Sequence, residues 1–177
     1  PEVIPFLLDN EQIIAKCQTD YCFAARLLFR FDPYPYQAKI LIDNSPFVAI
    51  RQARQTGKSF VVAARLLLDI IFNEGYKILV LAPSMRQVQF FRDRIDTHLN
   101  RLPPEVRAML FKPRGILRQK IETQLESVIY FVTNSPDLIL GFTAHKVFAD
   151  EAAMLKNDYY LFDNILYPML ASTNGSL

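Results

Sequence analysis

Between residues 11 and 31, Ile13, Ile14, Cys17, Tyr21, Ala24, Leu27, Leu28 and Phe31 recur at helical intervals, which predicts one or two amphipathic helices ahead of the core. The run Asp32-Pro33-Tyr34-Pro35 breaks this pattern, because each proline lacks an amide donor and biases the residue before it towards extended backbone. A short helix from Tyr36 to Asp43 is expected next. Phe47 to Ile50 reads as a short strand that leads through a loop with Gly57 into a helix from Lys58 down to Gly75. Within that helix Phe60, Val61, Ala64, Leu67, Leu68, Ile71 and Phe72 leave Arg65, Asp69 and Asn73 as one polar stripe. A helix so patterned is buried over most of its circumference.

Lys77 to Leu81 is a continuous apolar run closed by Ala-Pro-Ser, and Val88, Phe91, Ile95 and Leu99 then mark one face of a further helix before Pro103-Pro104. Ile121 to Thr123 and Val128 to Val132 read as a hairpin, and Val147 to Ala149 as a short strand ending at Asp150-Glu151. Pro168-Met169-Leu170 reads as the end of a helix, followed by a turn at Asn174-Gly175 into another strand. Non-alternating apolar strands interleaved with helices predict a mostly parallel sheet covered by helices, an α/β nucleotide-binding fold with an N-terminal helical appendage. The aromatics Phe90, Phe91, Tyr159, Tyr160 and Phe162 are assigned to core packing.

Composition narrows this picture only slightly. The 177 residues suffice for one ordinary core, and 20 basic against 18 acidic residues leave a net charge of +2, far from a histone-like basic footprint. Cys17 and Cys22 are the only cysteines, and His98 and His145 lie far off, so no zinc-ligand spacing emerges and reduced structural thiols are expected. No leader pattern opens the chain and no apolar stretch approaches the roughly 20 residues of a membrane span. A cytoplasmic protein without membrane contact is the expectation.

Candidate chemistry is concentrated in two places. Gln52-Ala53-Arg54-Gln55-Thr56-Gly57-Lys58-Ser59 matches G-x-x-x-x-G-K-[ST] except at its first position. Amides of a loop that opens a helix can cradle phosphate oxygens, with Lys58 reaching the β- and γ-phosphates of ATP and Ser59 ligating Mg2+. Val147-Phe148-Ala149-Asp150-Glu151 has the form of a strand ending in paired carboxylates. Asp150 would hold the magnesium through water, and Glu151 would orient and deprotonate the attacking water. An acidic first turn of a helix is the structural alternative for this pair.

Three further features attach to this core. Gln37, with Tyr36 beside it, lies about twenty residues before Gly57, where a carboxamide can pair with the donor and acceptor edge of adenine and an aromatic can stack on it. Arg51 and Arg54 flank the phosphate loop, and Arg54 is the better candidate for stabilising charge on the transferred phosphoryl group. Arg86, Arg94 and Arg101 fall roughly on one helix side, either a solvated face or a surface for a phosphate backbone.

Taken together, these residues resemble the ATPase domain of large terminase subunits of tailed bacteriophages and related viruses. The resemblance runs from Tyr36-Gln37 to about Gly175 and rests on Arg54-Gln55-Thr56-Gly57-Lys58-Ser59, similar to the family's phosphate loop without its first glycine. It rests also on Gln37, the strand ending in Ala82-Pro83-Ser84, Gly141 after the Val128 to Val132 strand, and Asp150-Glu151-Ala152. Leu140 stands where the family usually has arginine before that glycine, so no role tied to that arginine carries over.

The resemblance implies a P-loop NTPase of the RecA/ASCE type, with residues 1–32 as a helical lid or linker and residues 33–177 as the ATPase core. It implies ATP and Mg2+ as cofactors, Arg54 acting in cis, Asp150 holding the metal, and Glu151 as the catalytic carboxylate alongside Lys58. Double-stranded DNA, the portal protein and the small terminase subunit are the implied partners, in a homo-oligomeric ring at the procapsid portal in the host cytoplasm. An isolated fragment of such a ring is compatible with a monomer. Ser172-Thr173-Asn174-Gly175 reads as a turn rather than the coupling motif, which, with the nuclease domain, is expected beyond Leu177. The first ATPase domain of a superfamily 2-type helicase, or a non-catalytic nucleotide-binding scaffold, would share the phosphate loop and remains open at this point.

Overall fold

A computed structural model describes residues 11–156 and 158–177. The first ten residues of the expected N-terminal lid lie outside the described residues. Helices α1 (Glu11–Thr19), α2 (Tyr21–Phe29) and α3 (Pro35–Ile42) precede the phosphate loop. The Asp20 side chain accepts a 2.9 Å bond from the Phe23 amide at the start of α2, and Arg30 ends that helix in the left-handed region at φ 48°. Pro35 opens α3, where its missing N–H costs no intrahelical bond. Helix α4 (Lys58–Phe72) follows, then β1 (Lys77–Ala82), α5 (Met85–Leu99), α6 (Pro104–Leu110), β2 (Phe111–Ile116), β3 (Lys120–Thr123), β4 (Val128–Thr133), α7 (Pro136–Ile139) and β5 (Lys146–Ala149). A 3-10 turn at Ala152–Met154 leads to α8 (Asp158–Leu161), a π-helical stretch (Phe162–Leu166) and α9 (Tyr167–Ala171).

The five strands form one mixed sheet in the order β2-β3-β4-β1-β5. β4, β1 and β5 are parallel, with Val80 opposite Phe131 on one side and Phe148 on the other. β2, β3 and β4 are antiparallel. The expected parallel α/β core is therefore present, widened by an antiparallel flap. β2 carries Pro113 and Gly115 and is an edge strand, the position at which a strand proline is tolerated. A Cβ at Gly115 would meet the Glu122 carbonyl oxygen at 2.6 Å, so the tight β2–β3 approach requires glycine there.

β1 lies between β4 and β5, and both its faces are covered. Ile78, Val80 and Ala82 join α4 and α5 in one core, while Leu79 and Leu81 join Val147, Ile139, Leu161, Ile165, Leu166 and Leu170 in a second. This alternation explains why β1 reads as an unbroken apolar run. The expectation that all five named aromatics pack inside is corrected. Phe91 is buried and Phe162 half-buried, whereas Phe90, Tyr159 and Tyr160 are exposed. Phe90 lies on the outer face of α5 beneath the Arg86 guanidinium, 5.3 Å from its ring centre, and Leu161, Ile165 and Leu166 occupy the inner face near the two tyrosines.

Phe47 to Ile50, expected as a strand, forms no sheet ladder. A cleft separates this segment from β5, so the neighbour a strand needs is missing over most of its length. Its sheet-like bonds are to Leu177, whose amide donates to the Pro46 carbonyl and whose carbonyl accepts from the Val48 amide, both at 2.9 Å. Ser176 in turn makes a parallel bridge with Lys146, after a turn over residues 172–174. The turn read at Asn174-Gly175 is thus present, followed by a single bridge rather than the expected strand.

Candidate functional site

The phosphate-loop segment runs from Arg51 to Gly57 and ends where α4 begins at Lys58. Its shape depends on left-handed backbone at Gln55 (φ 64°) and Gly57 (φ 80°). Glycine is required at the second for two reasons: the positive φ, and the 2.8 Å approach of Gln37 Nε2 to where a Cβ would stand. Gln52, which replaces the usual first glycine, braces the loop. Its Oε1 lies 3.2 Å from the Thr56 hydroxyl, which shares its proton with the Ala53 carbonyl at 2.9 Å.

Tyr36 and Gln37 hold the loop from α3. The Tyr36 hydroxyl donates to the Thr56 carbonyl at 3.0 Å, and Gln37 Nε2 donates to the same oxygen at 3.2 Å. Gln37 Oε1 accepts from the Tyr34 amide at 3.0 Å, and the side chain is only 5% exposed. One N–H and one lone pair of the carboxamide remain after these bonds. Tyr36 also stacks on Tyr34, with ring centres 5.8 Å apart and planes 6° from parallel. The anchoring of Thr56 by both residues has no signature in the sequence, because it depends on how α3 packs on α4.

The cleft beside the loop encloses about 730 Å3. Lys58 lines it on the α4 side, and Asp150 and Glu151 line it at the end of β5. Arg51 is also on its wall, whereas Arg54 is exposed at the loop's turn and is not among the described lining residues. Asp150 is fixed by its amide, which donates to the Leu81 carbonyl at 2.9 Å. Burial pushes its carboxyl above the ordinary aspartate range; Lys58 across the cleft pulls it back and Glu151 pushes it further up. Glu151 is exposed and takes left-handed backbone at φ 51°, ψ 44°, a conformation that costs a non-glycine residue about 1–2 kcal/mol and is concentrated at functional sites.

Lys58, Asp150 and Glu151 therefore share one cleft, and Thr56, Gly57 and Ser59 adjoin Lys58 in the chain. Among the described residues no ion pair or side-chain hydrogen bond engages Lys58 or Ser59. A free ammonium, a free hydroxyl and a partly desolvated carboxylate at the open start of a 15-residue helix fit a phosphate-bound divalent cation, which takes oxygen ligands. Of the proposed arginine stripe, Arg86 and Arg94 are exposed, but Arg101 turns inward, donating to the Phe29 carbonyl at 3.2 Å and lying over Phe60.

Comparison with known proteins places this geometry in a family. A family model described as terminase large subunit, T4likevirus-type, N-terminal matches residues 50–163. No curated protein matches the chain. Among solved structures, the ATPase domain of the large terminase of Thermus phage P74-26 superposes with a TM-score of 0.74 at 19% identity, as does a point mutant of it. The match covers 86% of this chain and 66% of that one. The HK97 bacteriophage large terminase follows, with a TM-score of 0.60 at 16% identity, over 81% of this chain and 30% of the other. The chain thus spans less than two thirds of the length of these proteins, and at such identities the likeness establishes the fold, a P-loop NTPase-like α/β domain. The family match spans well over half of the sequence and includes the phosphate loop and Asp150-Glu151: the chain belongs to the T4likevirus-type terminase large-subunit family.

Proposed function

We propose that this chain binds and hydrolyses ATP as the motor domain of a terminase that drives double-stranded DNA into a procapsid. The observation that carries the reading is the cleft in which Lys58, at the start of α4, faces Asp150 and Glu151 at the end of β5. Loop amides from Thr56 to Ser59 and the Lys58 ammonium hold the β- and γ-phosphates. Ser59 and, through water, Asp150 would hold Mg2+, which would neutralise charge on the phosphate oxygens. Glu151 orients the attacking water and takes its proton. Arg54 stabilises the charge of the transferred phosphoryl group, with Arg51, already on the cleft wall, as the alternative. Tyr36 and the free positions of the Gln37 carboxamide contact the base.

Family membership and the fold shared with the P74-26 ATPase domain support the packaging role. In that role the chain works in a homo-oligomeric ring with the portal protein and small terminase subunit in the host cytoplasm. Among the described residues no helix is long and apolar enough to cross a membrane. Titration with ATP and Mg2+ tests the nucleotide reading. Lys58→Ala is expected to weaken ATP binding at least about tenfold, in line with the loss of a charge-assisted bond; unchanged affinity would overturn the assignment of the loop.

A further inference from the structure

The far end of α4 carries a buried charge cluster that the reaction does not use. Arg65 is 9% exposed and Asp69 4%. Arg65 Nη1 donates to the Leu41 carbonyl at 2.6 Å and the Asp43 carbonyl at 2.8 Å, and Nη2 donates to Asn44 Oδ1 at 2.8 Å. Its Nε donates to Asp69 Oδ1 at 3.1 Å, and Lys146 Nζ donates to Asp69 Oδ2 at 2.6 Å. Burial lowers the Lys146 pKa while Asp69 holds it up. The cluster thus joins three elements. Arg65 grips the C-terminal end of α3, whose N-terminal end holds Thr56 through Tyr36 and Gln37. Asp69 lies on α4, about three turns and roughly 16 Å from Lys58. Lys146 opens β5, roughly 13 Å before Asp150.

We infer that Arg65, Asp69 and Lys146 are positioning residues that set the spacing between the phosphate loop and the Asp150-Glu151 carboxylates. They do so by fixing the far ends of α3, α4 and β5 to one another. An anchor between apolar surfaces permits sliding, whereas a buried ion pair in which Arg65 makes four directed hydrogen bonds favours one geometry. Arg65 and Lys146 line the same cleft as Lys58, Asp150 and Glu151, but their hydrogen bonds go to Leu41, Asp43, Asn44 and Asp69, so the cluster's effect on chemistry passes through the three elements. The catalytic consequence rests on the nucleotide-site reading above; the mechanical consequence does not.

The test replaces Lys146 with methionine, which keeps length and removes charge, and compares it with Leu99→Ala, a core destabilisation in α5 away from the cluster. Amide exchange is measured at equal distance below each variant's thermal midpoint. The readouts are three amides at the near ends: Ala38, bonded to Tyr34 O; Val61, bonded to Gly57 O; and Asp150, bonded to Leu81 O. Exchange at all three at least tenfold faster in Lys146→Met than in Leu99→Ala is expected, with Lys146→Arg restoring slow exchange. Equal exchange in the two variants overturns the inference, whatever turnover does. Where wild type hydrolyses ATP, Lys146→Met is expected to lose about tenfold in kcat with KM changed less than threefold. Failure of wild type to bind ATP would overturn the site reading alone, since the exchange comparison still decides the role of the cluster.

Discussion

At the residue scale, the site depends on a few positions whose backbone or burial is unusual. Gly57 combines φ 80° with the close approach of Gln37 Nε2. Gly57→Ala therefore forces either the loop or the Gln37 carboxamide to move. The expected cost is roughly 1–2 kcal/mol from the left-handed backbone, visible as a lower denaturation midpoint together with weaker ATP binding. His98 makes a different prediction. It is buried against Phe29, Phe31 and Phe60, with Nε2 at 2.9 Å from the Phe60 carbonyl and Nδ1 unpartnered. Burial pulls its pKa from 6.5 down to about 4. The folded protein thus prefers the neutral ring, so this contribution is complete above the unfolded pKa of 6.5 and is lost as pH falls towards 4. The loss amounts to roughly 3 kcal/mol at most. Denaturant midpoints measured between pH 7 and 4 should fall less steeply in His98→Leu than in wild type; parallel curves would contradict the burial of a neutral histidine.

At the scale of elements, legibility followed how local each determinant is. The helix from Lys58, the strand at Lys77 and the strand ending at Ala149 were readable because apolar periodicity and punctuation lie within each segment. Phe47 to Ile50 carries the same β-prone composition yet, among the described residues, pairs only with Leu177, because ladder formation depends on a neighbour rather than on the segment itself. β2 was missed because its proline and glycine resemble a loop, and only its edge position makes them compatible with a strand. The polar stripe of α4 was seen as a stripe, but its partners lie 21 to 24 residues upstream and 77 downstream, beyond any periodicity argument. That burial has a measurable consequence. Arg65→Ala strips the Leu41 and Asp43 carbonyls of their donor and removes the guanidinium from the buried Asp69 carboxylate, so a loss of about 3–5 kcal/mol in unfolding free energy is expected. A loss below about 1 kcal/mol would mean the cluster is solvated in solution.

At the scale of the whole molecule, the phosphate loop and the paired carboxylates are 92 residues apart in sequence if measured from Lys58 to Asp150, and the parallel arrangement of β1 and β5 brings them to one cleft. The motifs were legible as motifs, since each needs particular residue types at fixed spacing. The bonds of Tyr36 and Gln37 to Thr56 and the placing of Arg51 rather than Arg54 on the wall were not, because packing and loop direction decide them. Gln52, where the usual phosphate loop has its first glycine, braces the loop through the Thr56 hydroxyl. The central claim is that this cleft hydrolyses ATP through Glu151. The measurement that tests it most directly is phosphate release by wild type and Glu151→Gln, each assembled with DNA and with bound ATP quantified in the same samples. The account predicts that Glu151→Gln keeps ATP affinity within about threefold and loses turnover by roughly 100-fold or more; equal turnover in the two proteins would contradict it.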